Sequence, residues 1–325
     1  MVQPEVSVGL RETLDRKRIG IYLAFAFGIA WAFGLIIALT GGLAHSPQLI
    51  PGTPITLGLV LVATGYMWAP ALAHIATRLI TREGWQGMLL RPNLKRGWPY
   101  WLLAWFLPLV MTILGAAVFF AIFPRFFDPS LGTVKQMLAQ SAQATRQPIP
   151  LSPWALVAVE AVAGTLLAPM VNSLFTFGEE FGWRAYLLPR LLPLGERKAM
   201  VAMGVIWGVW HWPVIAMGHN YGFNYPGAPW TGMLAMVWLT FVLGTFLGWL
   251  TLRAGSVWPA VIGHAAINGI SGLGALFVQG TPNPLLGPLP VGLIGSAAWA
   301  ALAIWILSRP TSGTVVRVQA TQPLG

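Results

Sequence analysis

The sequence predicts an all-α protein that crosses a membrane about eight times. Hydrophobic residues make up 56% of the 325 residues and charged residues only 9%, whereas soluble domains carry roughly 25% charged residues. A soluble protein of this size could not cover its surface with so few charges. Apolar runs of about 20 residues, the length of helix that spans the hydrocarbon core, recur along the chain. Many of the 17 Trp lie near the ends of these runs, as in interfacial aromatic belts.

The first apolar run, from Ile19 to about Leu39, is too long for the hydrophobic region of a cleavable signal peptide, so we predict a helix that stays in the membrane. Later runs are separated by linkers rich in Gly, Pro and Asn, such as 218–230 and 280–290, which interrupt helices. The predicted spans are residues 19–40, 55–77, 98–123, 153–180, 199–217, 232–252, 257–279 and 290–307.

Basic residues fall mainly on one side of this map. An even number of spans puts both termini on the same side, together with 16 of the 19 basic residues. These are Arg11, Arg16, Lys17, Arg18, Arg78, Arg82, Arg91, Lys95, Arg96, Arg184, Arg190, Arg197, Lys198, Arg253, Arg309 and Arg317. The other side holds Arg125, Lys135 and Arg146. Because cytoplasmic loops carry an excess of Lys and Arg, both termini are predicted to be cytoplasmic.

One integral membrane domain is therefore predicted, over residues 19–307, between cytoplasmic tails at 1–18 and 308–325. The segment 124–152, on the other side of the membrane, contains a predicted surface helix. Topology explains the net charge of +10, so the expected partner is the lipid bilayer of a prokaryotic cell membrane and not nucleic acid. The chain has no Cys, which excludes disulfides and thiolate metal sites.

Two of the nine acidic residues, Glu179 and Glu180, are adjacent near the predicted cytoplasmic end of the fourth span. Glu180 and Arg184 are four residues apart, which places them on one helix face as an ion pair in the favoured orientation. Glu179 points about 100° away around the helix and can face a different partner. The spacing thus predicts that Arg184 holds Glu180 ionised, whereas Glu179 faces a cavity where it could act as a general base.

Two histidines, His211 and His264, lie inside later apolar spans, and Asn268 follows His264 on the same helix face. All three are predicted to enter the membrane from the same side as Glu179. Ionisable groups at membrane depth are costly, so they indicate a functional site. Small residues beside them, such as Gly204 and Gly208, permit close packing of the helices.

These residues form three motifs, Glu-Glu-x-x-x-Arg, aromatic-x-x-x-His and His-x-x-x-Asn, each on its own predicted helix. In this order they resemble the motifs of the type II CAAX prenyl proteases, the CPBP (CAAX protease and bacteriocin-processing) or ABI family of intramembrane proteases. The matching segments are EEFGWR at 179–184, WGVWH at 207–211 and HAAIN at 264–268. The resemblance covers a protease-like core at about 150–280. It departs from the family at Trp207, where the family usually has Phe.

The resemblance implies a fold of eight helices around a cytoplasm-facing cavity in which a peptide bond is hydrolysed. It implies that Glu179 activates water with the help of His211, and that His264 and Asn268 stabilise the oxyanion. Glu180 and Arg184 are implied to be the supporting pair. The implied substrate is a membrane-associated protein or peptide, which need not be prenylated.

The residues leave the role of a metal open. Glu179, His211 and His264 could supply the two-His, one-carboxylate set of a catalytic zinc. The chain has no His-Glu-x-x-His helix, which is the stronger metal signature. We therefore favour water activated by Glu and His, with a divalent metal such as zinc as the alternative.

Two other classes of function also fit parts of the sequence. Buried Glu and His could form the proton relay of a transporter, although that class predicts polar groups across both leaflets and repeated broken helices. A scaffold or immunity protein would need none of the six polar residues. For Glu160, in the fourth span, we favour a structural or interfacial role, and Asn172 is expected either to bond a neighbouring helix or to line the cavity.

Overall fold

The computed structural model describes residues 13–147 and 149–309, and over these residues the chain is helical and has no strands. This confirms the predicted all-α class. Arg11, Arg317 and the outer parts of both predicted tails lie outside the described residues.

Three long helices occupy the first three predicted spans. They are α1 (Arg16–Leu39), α2 (Leu57–Thr81, with a π-helical turn at Val62–Tyr66) and α3 (Leu94–Ile122). The surface helix expected within 124–152 is present as α4 (Gly132–Thr145).

The fourth predicted span is a bent pair of helices. It consists of α5 (Pro153–Leu166) and α6 (Ala168–Gly182), and the chain then continues in helical turns to Leu194. The two halves meet at 46°. Pro169 follows the break, and proline cannot donate the backbone hydrogen bond that a continuous helix requires there.

The remaining helices are α7 (Glu196–Trp210), α8 (Trp230–Ala254), α9 (Trp258–Ile270) and α10 (Ala297–Ser308). A short turn of helix, Trp212–Ala216, follows α7, and a 3₁₀ turn, Leu273–Phe277, follows α9. Helix α8 packs against α7, and α9 packs against α6 and α3.

The count of eight spans is not confirmed as it stands. Within the described residues, five helices are long and apolar enough to cross a membrane, and the bent pair would make a sixth. The predicted span 199–217 is interrupted at His211, and the predicted span 290–307 contains only the 12-residue α10. Pro288, Pro290 and nearby glycines keep the preceding segment irregular.

Two Gly-x-x-x-Gly pairs bring the motif helices close to their neighbours. Gly178 and Gly182 flank the two glutamates and face α2, where a Cβ at Gly178 would lie 2.7 Å from the carbonyl oxygen of Met67. On α7, a Cβ at Gly208 would lie 2.6 Å from the Cα of Val237 on α8. Such contacts with backbone atoms leave room only for glycine, so they fix how these helices are placed.

The connections between helices gather on two faces of the bundle. One, which we call the basic face, joins the start of α1 to the ends of α2, α6 and α8. Asn93 Nδ2 donates to the carbonyl oxygen of Gly255 over 2.6 Å, and the Val257 amide donates to Leu89.

The opposite face is formed by the segments 40–56, 123–131, 217–229 and 278–296. Tyr221 Oη donates to the carbonyl oxygen of Val291 over 2.9 Å, and the Gln279 amide donates to that of Phe126. Most described basic residues belong to the connections and helix ends of the basic face, whereas Arg125, Lys135 and Arg146 belong to the opposite one and Arg184 is buried within the bundle.

Candidate active site

Glu179 is almost completely buried on the last turns of α6, at the point where that helix presses against α2. Its Oε2 accepts a hydrogen bond of 2.7 Å from Nε1 of Trp207 on α7. The indole N–H is a donor only, so the contact stabilises an oxygen acceptor. One carboxylate oxygen is therefore held in a fixed direction between two helices.

Glu180 points to the other side of α6 and is completely buried. Its Oε1 accepts a hydrogen bond of 2.9 Å from Nη1 of Arg184, which confirms the ion pair predicted from the four-residue spacing. The same oxygen lies 2.8 Å from Nδ1 of His264 on α9. An ionised carboxylate only accepts, so Nδ1 of His264 is the donor and Nε2 is left for other contacts.

His211 sits at the break between α7 and the turn Trp212–Ala216. Its Nδ1 lies 2.8 Å from the carbonyl oxygen of Trp207. A carbonyl cannot donate, so Nδ1 carries the proton in this contact and Nε2 keeps its lone pair in the neutral ring. The Trp207 ring lies between the two histidines, with centroids 5.6 Å from His211 and 5.3 Å from His264.

A cavity of about 580 Å³ joins these side chains. Glu179, Trp207, His211, His264 and Asn268 all contribute to its wall. Glu180 and Arg184 are not part of the wall, since they lie buried behind Glu179 and His264. The structure thus brings together the six predicted residues in two tiers, four in contact with the cavity and two behind it.

The rest of the wall is mostly apolar, with Leu239, Leu243, Leu247 and Ile267 among its residues. No Lys or Arg side chain of the described chain lines it. An apolar wall with a few polar groups at one end is typical of small-molecule and peptide sites.

The cavity reaches the face opposite to the basic face. Leu43, Pro54, His219, Asn220 and Val291, which belong to the connections on that side, complete its wall. Two expectations from the sequence, cytoplasmic basic loops and a cytoplasm-facing cavity, are therefore incompatible. If the basic loops are cytoplasmic, the cavity does not face the cytoplasm, because the two lie at opposite ends of the bundle.

Glu179, His211 and His264, the possible metal set, line the same cavity. Among the described residues, no group of three His, Cys, Asp or Glu side chains is placed to hold a metal ion together. One nitrogen of each histidine is engaged, His211 with a backbone carbonyl and His264 with Glu180. Glu179 in turn is held by Trp207.

Asn172 and Glu160, whose roles the sequence leaves open, occupy different environments. Asn172 Nδ2 donates to the carbonyl oxygen of Ala265 over 3.3 Å, so it joins α6 to α9 and does not line the cavity wall. Glu160 is exposed on α5, away from the cavity. The structural or interfacial role of Glu160 stays a prediction.

Two features of the site and its surroundings are not predicted by the sequence. Trp207 stands out in the sequence as an aromatic departure from the motif but not as the donor to Glu179, and an indole on the helix before a motif histidine is the available signal. The second is His74 on α2, which is completely buried. Its Nδ1 lies 2.8 Å from the carbonyl oxygen of Phe181, next to the two glutamates, and its Nε2 accepts from Arg78.

Two comparisons with known proteins agree with this geometry. Residues 150–270 match the family model described as Type II CAAX prenyl endopeptidase Rce1-like. A curated protein, CAAX prenyl protease 2 of Methanococcus maripaludis, is 29% identical over 93 residues. That alignment spans 28% of this chain and 34% of the relative, so this chain aligns with about a third of the relative's length.

The matched segment contains every residue of the candidate site, from Glu179 to Asn268. The helices α1, α2 and α3 lie outside it. Over residues 150–270, this chain is similar to the type II CAAX prenyl endopeptidases, the family that its three motifs resemble.

Proposed function

We propose that this chain is an intramembrane endopeptidase of the CAAX-processing type that hydrolyses a peptide bond of a membrane-associated protein. One observation carries the proposal. The Glu179 carboxylate lies in the wall of a 580 Å³ cavity together with His211, His264 and Asn268. A packed helical core has no need of such a set, because each of these groups loses hydration at a cost.

The first step is the attack of water on the scissile carbonyl. Glu179 takes one proton of a water molecule in the cavity, and Nε2 of His211 accepts a hydrogen bond from the other. The water oxygen then bonds to the carbonyl carbon. General bases positioned in this way contribute about 10²- to 10⁴-fold to the rate.

The second step is collapse of the tetrahedral intermediate. Its oxyanion accepts hydrogen bonds from the amide of Asn268 and, when the ring carries both protons, from Nε2 of His264. The carbon–nitrogen bond breaks, and the proton held by Glu179 passes to the leaving nitrogen. The products are a carboxylic acid and an amine, which together contain the atoms of the peptide and one water.

The supporting pair acts through His264. Glu180 orients the imidazole through Nδ1 and is itself held by Arg184. Because Arg184 also lies over the Trp207 ring, with Cζ 4.2 Å from its centroid, the pair links both sides of the site. The proposed steps use water activated by Glu179 and His211, and a divalent metal such as zinc is the alternative that the experiment below distinguishes.

The proposed substrate class rests on the similarity to CAAX prenyl proteases and on the apolar wall of the cavity. The curated relative is named a CAAX prenyl protease, and such proteins act on a C-terminal Cys-aliphatic-aliphatic-X motif whose Cys is prenylated. For this chain we propose a membrane-associated protein or peptide whose cleaved segment is apolar, because the wall around Glu179 is apolar. A lipid group on that segment is compatible with the wall.

The test compares Glu179→Gln with Glu160→Gln in purified protein reconstituted into vesicles. The probes are a fluorogenic peptide ending in a CAAX motif, with and without a farnesyl group on its Cys, and an apolar peptide lacking the motif. Glu179→Gln is expected to lower cleavage by about 10²- to 10⁴-fold, because the general base is lost. Glu160→Gln, a change of the same kind on the exposed surface of α5, is expected to leave cleavage unchanged.

Full cleavage by Glu179→Gln would contradict the proposed mechanism. To test the metal alternative, the same assay is repeated after treatment with a chelator. Activity that is lost on chelation and restored by Zn²⁺ would show that the direct route through Glu179 and His211 is wrong.

A further inference from the structure

We infer that the cavity opens on the non-cytoplasmic side of the membrane, so that the segment to be cleaved enters from that side. That the entering segment is cleaved rests on the proposed function. The orientation itself follows from where the cavity, the buried aromatic residues and the basic residues lie.

The open end of the cavity is built from the connections on one face. Pro54 and Thr56 precede α2, His219 and Asn220 follow the turn after α7, and Val291 belongs to the segment before α10. Tyr221 ties two of these connections together through its bond to Val291. Several separate parts of the chain therefore meet at the open end.

The opposite end is closed by buried aromatic side chains. Tyr22, Trp183 and Tyr186 are completely buried between Glu180 and the basic face. The ring of Tyr22 packs edge-on against Trp183 at 5.7 Å and lies 4.9 Å from that of Tyr186. A peptide could not pass through this layer without unpacking it.

A polar cluster closes the same end further out. Glu83 accepts a hydrogen bond of 2.7 Å from Tyr186 Oη and is also bound by Arg190. Arg18, at the start of α1, lies 3.8 Å from the same carboxylate. These contacts join α1, α2 and the chain after α6 across the basic face.

The charge pattern gives the two ends their sides of the membrane. Loops and helix ends at the basic face carry most of the chain's Lys and Arg, whereas Arg125, Lys135 and Arg146 are the described basic residues of the other face. An excess of Lys and Arg in short connections marks the cytoplasmic side. The open end of the cavity is then non-cytoplasmic.

This orientation restricts the substrate. A soluble prenylated C-terminus in the cytoplasm would have to cross the closed end to reach Glu179. A precursor that is exported, or anchored with an apolar segment in the outer part of the bilayer, meets the open end directly. The apolar wall between His219 and Glu179 suits such a segment.

The absence of Cys from the sequence allows a direct test. Single substitutions His219→Cys and Gln48→Cys place a thiol at exposed positions of the open face, and Lys198→Cys places one at an exposed position of the basic face. Cells expressing each full-length variant are treated with a membrane-impermeant maleimide, before and after permeabilisation. We expect His219→Cys and Gln48→Cys to be labelled in intact cells. Lys198→Cys is expected to be labelled only after the cells are permeabilised.

The reverse pattern, or equal reaction of all three in intact cells, would overturn the inference. Two positions on the open face keep the test decisive if one substitution impairs expression. The labelling requires no catalysis, so its failure is distinguishable from failure of the proposed function. In a second arm, vesicles of known orientation receive the CAAX-motif peptide from outside, and cleavage is expected to be lost in those that expose the basic face.

Discussion

Two of the buried polar clusters in the described part of the chain differ, because one lines a cavity and the other is closed. The first, around Glu179, lines the cavity. The second, around Glu83 at the basic face, is closed, because one carboxylate oxygen accepts from Tyr186 and the other from Arg190. Both carboxylates are almost completely buried. Burial and hydrogen bonding thus do not distinguish a carboxylate that can react from one that supports the fold, whereas contact with a cavity does.

The two clusters also differ in how their carboxylates are held. Glu83 is bound by cations and a phenol, so its charge is balanced within the cluster. Glu179 is held by the neutral indole of Trp207, while the nearby Arg184 pairs with Glu180. A carboxylate that is oriented but not paired with a cation remains available to take a proton. Mutations should therefore affect the rate of cleavage in one cluster and the stability of the fold in the other.

The largest effect after loss of Glu179 itself is expected at Asn268. Its side chain is exposed in the cavity wall, so Asn268→Ala is expected to leave the thermal unfolding temperature nearly unchanged. Losing one donor to the oxyanion should lower kcat by about 10²- to 10³-fold. The measurement is steady-state cleavage of the peptide probe alongside thermal unfolding. A variant with unchanged kcat would remove Asn268 from the site.

An opposite result is expected in the closed cluster. Glu83→Gln leaves Arg190 beside a neutral amide. This substitution is expected to lower the free energy of unfolding by about 3 kcal/mol. The value is near the low end for a broken buried ion pair because Arg190 is partly exposed. Thermal unfolding in detergent, with Glu160→Gln as the control, measures this change. Cleavage per folded molecule should remain normal. A loss of kcat without loss of stability would mean that the two clusters are not separate.

The smallest effect is expected at Trp207. Trp207→Phe keeps an aromatic ring against Arg184 but removes the N–H that holds Glu179. A hydrogen bond to a charged group contributes about 1.5–3 kcal/mol, so kcat should fall by about 10- to 100-fold, with a smaller change in KM.

Trp258→Phe is the matched control for this change. Its indole donates to the carbonyl oxygen of Leu90 over 2.8 Å at the basic face, away from the cavity. Equal losses of activity in the two variants would show that Trp207 acts through stability. A loss confined to Trp207→Phe would show that the indole positions Glu179.

Pairs that are close in the sequence were predictable. Glu180 and Arg184 form the expected ion pair, because residues four apart on a helix are neighbours whatever the rest of the chain does. The three motifs by themselves also name the six residues that the structure brings together at and behind the cavity wall. The count of spans was less predictable, since prolines near 213 and 288–290 break apolar stretches that hydropathy treats as continuous.

The sequence by itself determined that this is a helical membrane protein, which groups are ionisable at membrane depth, and which face of α6 each glutamate occupies, because composition and helical period are local properties. Only the tertiary structure decided that Trp207 holds Glu179, that Glu180 reaches His264 84 residues away, and that the cavity opens away from the basic loops. These depend on the rotation and depth of one helix against another. That arrangement is set by contacts such as those of Gly178 in α6 against α2 and of Gly208 in α7 against α8, which no spacing within a single helix specifies.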